Sequence, residues 1–348
     1  NSQFASFALL NKGDYNFELN IPFPFSLISN DPEKDELIIM PGYWLLYNFY
    51  ALARNAKKYE DRDKRIKKSP IYEYDYLAPD TINEIVTSLN IIATCVAKAL
   101  LIKEKKDTNL TQEQLQKIGD SILNTKTKKE IDALSIFVDN IENSKRKTRL
   151  IKCYDAYKMF NNMLFIYGIE ALIELLSKQK NNILTNAVKN INLNAKDLKW
   201  INVGGQLMPQ KQVTLLLNQI KNEKLTDWDQ VHEFYANASE KYADRKNKHA
   251  LAILEQVTNK KIINLSPKQL GIWLNTYLEI KKDIANRIKA TRAKDYSNEF
   301  RKMVYLNDDE MNVVIGKLDD NSFINAQQIE LNKITENIYS LKQRLKLK

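Results

Sequence analysis

A chain of 348 residues is long enough to bury a sizeable core without a disulfide or a metal to hold it. Eight glycines and eight prolines are too few for a turn-rich all-β fold or a collagen-like chain, and 44% hydrophobic with 28% charged residues excludes a mostly disordered one. A formal charge of +10 permits a nucleic-acid or acidic partner without demanding one.

The first 40 residues differ from the rest. Phe4–Leu10, Phe17–Ile21 and Glu36–Met40 have the aromatic, alternating character of short strands. Pro22 and Pro24 hold the chain between them extended, because proline donates no amide hydrogen and restricts the residue before it. Phe17, Pro22, Phe23, Pro24 and Phe25 are too much apolar surface to leave in water, so this segment must pack on something.

From Pro41 the spacing is helical. Tyr43, Leu46, Tyr47, Tyr50 and Ala53 recur at three and four residues, which predicts a helix over 42–65. Its aromatics crowd most faces, as in a buried helix, yet Asn48, Asn55 and Arg62 recur every seven residues on one face. An unpartnered buried polar group costs about 1–3 kcal/mol. These three therefore either tie the helix to the strand-like segment or face a ligand. The run Lys57–Lys68 carries seven positive and three negative charges. It is either a solvated helix end or a phosphate contact in which arginine supplies a planar fork.

Helices are predicted next at 80–105, 111–123, 127–143 and 147–179. Three of their starts carry a threonine three residues before an acid or amide (Thr81 and Glu84, Thr111 and Gln114, Thr127 and Glu130), the pattern of a reciprocal cap. Further helices are predicted at 183–191, 209–223, 227–257, 266–294 and 325–346, with a short turn near 308–318. Ser266 followed by Pro267 sets a capping hydroxyl before a proline at the first helical position. Gly204-Gly205 marks a turn with positive backbone angles or the close approach of another group. Leu331, Ile334, Ile338, Leu341 and Leu345 form a short heptad seam, which docks on the same molecule or joins two copies. The expected fold is mainly α, a multi-helix bundle with a strand-like start. Its divisions are an extended segment over 1–40, a helical domain over 41–190 and a second helical domain over 191–348.

The search for chemistry is sparse. His232 and His249 lie seventeen residues apart and no cysteine pair has ligand spacing, so no metal site is expected. No glycine-rich phosphate loop, dinucleotide fingerprint or serine elbow occurs. Cys95 and Cys153 sit in apolar helical patterns and read as buried hydrophobes, with a reducing cytoplasm as the default setting. No stretch reads as a membrane span, since Glu170 and Glu174 interrupt Met163–Leu176. A second basic run, Arg287–Lys302, interleaves Lys294 and Arg301 with Tyr296 and Phe300. It suits either nucleotide stacking or a docked helix end. The opening Asn-Ser-Gln-Phe, with neither an initiator methionine nor a leader pattern, is expected of a segment that starts inside a longer gene product, with removal of a leader as the second reading.

Several of these stretches resemble an uncharacterised bacterial family. They are Phe4–Phe7 with Lys12–Tyr15 and Leu19–Leu27; Pro41–Trp44 with Asn48, Arg54, Asn55 and Arg62–Arg65; Trp200–Gly205; Trp228, Asp229, His232 and Tyr235; and Lys294–Tyr296 with Asn298, Phe300, Arg301 and Met303. Members of that family resemble large hexapeptide-repeat proteins in which a left-handed, acyltransferase-like β-helix is followed by a helical C-terminal region. The resemblance implies that residues 1–40 are the last β-helix coils. It also implies a transferase, often trimeric in such proteins, acting on a sugar nucleotide or another activated phosphorylated ligand. Its candidate groups are His232 as general base, Tyr296 stacking on a base, and Asn48, Arg54, Asn55, Arg62, Lys294 and Arg301 binding ligand and phosphate. No cofactor is specified. The competing reading is a non-enzymatic helical module for interaction or oligomerisation, and nucleic-acid binding through the two basic runs ranks below both.

Overall fold

The computed structural model describes residues 1–68, 70–178 and 199–347. The expected helix at 183–191 and most of the expected boundary before Gly204 lie outside them. The chain opens with five strands, β1 (Gln3–Phe4), β2 (Leu9–Leu10), β3 (Asn20–Ile21), β4 (Leu27–Asp31) and β5 (Glu36–Met40). Helices α1 (Tyr43–Tyr47), α2 (Phe49–Arg62), α3 (Pro79–Lys103), α4 (Gln112–Thr125) and α5 (Lys128–Asp132) follow. Strands β6 (Ile136–Val138) and β7 (Lys147–Leu150) precede the long helix α6 (Cys153–Lys178). Beyond it come β8 (Trp200–Val203), β9 (Gln206–Pro209), α7 (Gln210–Lys221), α8 (Trp228–Glu240) and α9 (Tyr242–Thr258). The chain ends with α10 (Pro267–Ser297), α11 (Glu299–Lys302), α12 (Asp308–Ile315) and α13 (Ser322–Arg344). The protein is mainly α, with 61% of the described residues helical and 10% in strands.

Two compact units interleave along the chain. The first takes residues 1–47 and 81–162, the second 48–80 and 163–348. The linear division into 1–40, 41–190 and 191–348 has a different form, and its boundary at 190 falls outside the described residues.

In the first unit the leader is a ladder. β1 runs parallel to β3, with Gln3 opposite Asn20, and β2 runs parallel to β4, with Leu9 opposite Leu27. Phe7 and Phe25 both take the left-handed backbone region, at φ 60° and 57°. Their rings stack with centroids 5.0 Å apart and planes 5° from parallel. β4 continues into a five-stranded sheet of order β2-β4-β5-β7-β6. The proline-held run packs as anticipated: Phe23 and Phe25 are fully buried, with Ile21, Ile28, Leu37 and Ile39 around the same core. Two polar contacts fasten this leader to α3. Glu84 accepts the Ser6 amide at 2.8 Å, and the Ser88 hydroxyl donates to the Pro22 carbonyl at 3.0 Å. That use of Glu84 corrects the cap expected at Thr81: α3 already begins at Pro79, so Thr81 lies inside the helix.

The other two boxes form as expected. Thr111 and Gln114, and Thr127 and Glu130, each exchange both hydrogen bonds. The helix after Thr127 is short, however. Leu134–Val138 is rich in the branched and aromatic residues that favour strands, and β6 pairs antiparallel with β7. β7 in turn pairs parallel with β5, Arg149 opposite Ile38. The helices predicted at 127–143 and 147–179 are therefore each shortened by a strand. Gly119 of α4 lies so close to α3 that a Cβ there would sit 1.9 Å from the Ala93 carbonyl oxygen.

In the second unit α10 packs against both α2 and α13. Leu331, Ile338, Leu341 and Leu345 are buried. The heptad seam is thus covered within one molecule, as a docking helix. β8 and β9 form a hairpin whose turn is Gly204-Gly205, at φ 60° and 95°, and the Tyr72 ring lies 3.0 Å from where a Cβ on Gly205 would stand. Both readings of the double glycine hold at once. Ser266 caps α10 by accepting the Gln269 amide, with Pro267 inside the first turn. The helix expected over 227–257 is two, parted at Lys241.

Two helices, α3 and α6, are long and apolar enough by length and composition to cross a membrane, with mean hydropathies of 2.0 and 1.3 over their best windows. This corrects the reading that no stretch qualifies: Ile85–Ile102 holds a single charge, Lys98. Within the fold, 56% and 67% of those windows are buried, the use a core helix makes of such a face.

Candidate functional site

The predicted helix 42–65 breaks at Asn48, which separates α1 from α2. Tyr43, Trp44 and Tyr47 therefore stand on a different helix from Tyr50, and the aromatic crowding divides. α2 buries Phe49 and Leu52 only. Arg54, Asn55 and Arg62 are exposed, and Asn48 is partly exposed at the helix start with no side-chain cap. The expectation of a buried polar stripe is overturned because that face of α2 meets water.

Three of the seven cations in the basic run after it are paired with the run's own acids. Asp63, near the end of α2, accepts from Arg65 at 3.0 Å, from the Tyr74 hydroxyl at 2.6 Å and from Lys68 at 2.9 Å. Arg65, with Tyr74 and Lys68, holds the Asp63 carboxyl well below the usual carboxylate range. Arg65 also lies 3.9 Å over the Tyr72 ring, and Lys57 pairs with Glu60 and Asp61.

The second basic run does bring predicted residues together. Arg292 lies between two rings, 5.2 Å from the Tyr50 centroid and 5.3 Å from that of Tyr296. Asp295 receives both Arg292, at 2.6 Å, and Arg301, at 2.7 Å. α2 is held here too, since the Thr291 hydroxyl of α10 accepts the Tyr50 amide at 3.0 Å. Tyr296 and Arg301 are thus partnered inside the protein, and Lys294 is exposed beside them. This arrangement fits the docked helix end better than a stacking platform.

His232 is exposed on α8, with the Trp228 ring 6.4 Å away. No described contact joins it to Tyr296 or Arg301. The buried histidine is His249 on α9, which is not among the site candidates read from the sequence. Its Nδ1 lies 2.9 Å from the Tyr167 hydroxyl, and its ring meets Trp200 edge to face at 6.0 Å. Burial first, then the charge of Glu73, pushes the Tyr167 hydroxyl well above its ordinary value, so it stays protonated. Trp200 packs perpendicular to Tyr242, whose hydroxyl donates to Glu73, and Lys246 reaches the same carboxylate at 2.6 Å. Burial would raise the Glu73 carboxyl, but Lys246 and Tyr242 more than offset it and hold it below the usual range. The indole N–H of Trp200 is buried without an acceptor. The network staples the β8–β9 hairpin to α6, α9 and the segment before α3. Its sequence signal is a set of aromatics scattered over α6, β8 and α9.

Among the described residues, the first unit carries clefts of about 560 and 510 Å³. Neither is lined by any of the ligand-binding or catalytic candidates read from the sequence. The larger lies between α3, the start of α4, β3 and the turn after β6. The smaller brings together Lys103, Lys126 and Lys129 with Glu104 and Glu130. Cys95 borders the larger cleft, and burial pushes its thiol up to about 12, far from a nucleophilic thiolate at neutral pH. Among the described residues, no group of three or more His, Cys, Asp or Glu is placed to hold a metal ion.

Residues 179–345 match the model of a domain of unknown function, DUF6819. An uncharacterized protein of Treponema pallidum (strain Nichols) is 32% identical over 333 residues, which cover 95% of this chain and 44% of the relative. The chain spans less than half the length of that relative. Neither match names an activity. No solved structure matches.

Proposed function

We propose that residues 1–40 are the closing coils of a left-handed parallel β-helix. The helical remainder then serves a hexapeptide-repeat, transferase-like protein that acts on a sugar nucleotide or another activated phosphorylated ligand. One observation carries the reading: the parallel pairs β1–β3 and β2–β4 repeat after 17 and 18 residues, and Phe7 stacks on Phe25 with both in the left-handed region. Equivalent side chains stacked one coil above the next, at equivalent corners, are what successive turns of a solenoid produce. The length of the Treponema relative leaves room for further coils in a protein of this kind. Homo-oligomerisation and a cytoplasmic setting belong to the same reading.

Thermal melting of the chain with UDP-N-acetylglucosamine, other nucleotide sugars and acetyl-coenzyme A tests it. A ligand at a hundred times its dissociation constant adds about 2.7 kcal/mol of stability, so one of these compounds raises the melting temperature by several degrees. An unchanged melting temperature across the panel overturns the ligand class.

A second reading, the non-enzymatic interaction module, has its own support. Phe300, Met303, Val304, Leu306, Val313 and Val314 are all strongly exposed within fifteen residues, more apolar surface than a folded chain ordinarily leaves in one stretch. Light scattering across a concentration series, with Leu306→Asp as control, checks it: self-association that the substitution abolishes favours this reading. The ion pairs inside both basic runs weigh against nucleic acid as the partner.

A further inference from the structure

We propose that the larger cleft of the first unit is a binding site for an uncharged, hydroxyl-bearing ring compound, a sugar or a nucleoside. This goes beyond the reading above and does not rest on it. The volume, about 560 Å³, falls within the range of small-molecule sites, roughly 300–1,000 Å³. Ile91, Leu115 and Val138 give the cleft apolar walls, against which the C–H face of a ring packs. Three amides stand around them: Asn20 opens β3, Gln112 opens α4, and Asn140 sits in the turn after β6. The Asn20 backbone N–H donates to the Ile141 carbonyl at 2.7 Å, which fixes Asn20 and Asn140 on the same rim.

None of the three side chains has a hydrogen-bond partner among the described residues. Each amide offers two donors and an acceptor, so the rim presents both senses of hydrogen bond at three separated points. That combination answers hydroxyl groups and ring carbonyls, which also carry both senses. It suits an anion less well, because a group that only accepts leaves the amide oxygens without a donor. The charges agree: Lys98 and Asp139, both in the lining, pair at 3.9 Å and cancel. The Cys95 thiol, protonated at neutral pH, adds no charge.

The test is saturation-transfer NMR and titration of the whole chain with two probes, N-acetylglucosamine and uridine, on three variants. Asn140→Gly removes an amide while glycine takes up the φ of 60° without penalty. Gln112→Ala leaves the Thr111–Gln114 cap in place. The third variant combines both. Circular dichroism confirms that each variant folds. At least one probe binds the native chain, each single substitution weakens it about three- to tenfold, and the double substitution weakens it further. Binding of N-acetylglucosamine alone marks a sugar site, and binding of uridine alone a nucleoside site. Absence of binding by both at about 10 mM, or equal binding by the native and doubly substituted chains, overturns the site. Uridine monophosphate binding far more tightly than uridine, with the gain lost in Lys98→Gln, overturns its uncharged character. A chain that binds nucleotide sugars undiminished in the double variant leaves the transferase-like reading standing and removes only this cleft.

Discussion

The two compact units spend their polar groups differently. In the second, the conspicuous residues are already engaged: Asp63 with three donors, Asp295 with two arginines, Glu73 with Tyr242 and Lys246. In the first, a cleft is rimmed by amides with no internal partner, drawn from ordinary turn and helix-start positions. Charge and aromaticity draw the eye in a sequence, yet a cation beside an acid three residues away has usually found its partner. Groups free to meet a ligand are those for which the fold supplies none.

That contrast can be broken or sharpened by substitution. The largest effect is expected in the second unit, at the α10–α13 contact. Ile338→Ala opens a cavity at a residue 1% exposed and should cost about 4 kcal/mol in denaturant unfolding. Next comes Gly119→Ala in the first unit. The new methyl meets the backbone oxygen of Ala93, which has nowhere to go, and about 3 kcal/mol is expected from the same measurement.

Glu142→Gln should cost about 2 kcal/mol, because it leaves Arg146 facing a neutral amide where it had a paired carboxylate. Burial would raise the Glu142 carboxyl, but Arg146 and Ser144 prevail and hold it below its ordinary 4.5. The stability it contributes is therefore complete above about pH 4.5 and is lost as pH falls through the lowered value. Melting curves across that acid range should fall less steeply for the Gln variant than for the native chain. The smallest effect is Ser266→Ala, about 1 kcal/mol for the lost cap on α10. Should Asn140→Gly and Gln112→Ala prove as costly to stability as these, their amides are structural and the contrast between the units disappears.

What the sequence disclosed was local. Two capping boxes, the Ser266-Pro267 start, the Gly204-Gly205 turn and the burial of the heptad seam all follow from residues within a few positions of one another. What it concealed depends on distant partners. Lys147–Leu150 has no strand signature of its own and becomes β7 because β5, over a hundred residues earlier, presents an edge. Asn48 ends one helix and starts another although the apolar spacing runs straight through it. The candidate site suffered most. Residue type identified His232, Arg54 and Arg62, but their exposure follows from which faces the neighbouring elements cover. The turn holding Asn140 lay inside a stretch that reads as helix, so its amide carried no signal.

The backbone passes between the compact units three times, after Tyr47, Asp80 and Asn162, and the last two passages occur within α3 and α6. No single excision of the gene therefore yields either unit intact. The segment 179–345, which the family model delimits, leaves behind Phe165, Tyr167, Glu73 and Tyr50. Their partners Trp273, His249, Lys246 and Arg292 would be stranded with bare faces. Such a cassette is ill suited to being shuffled between proteins on its own; it travels with the α2 region and α6, and recombination should respect that larger block.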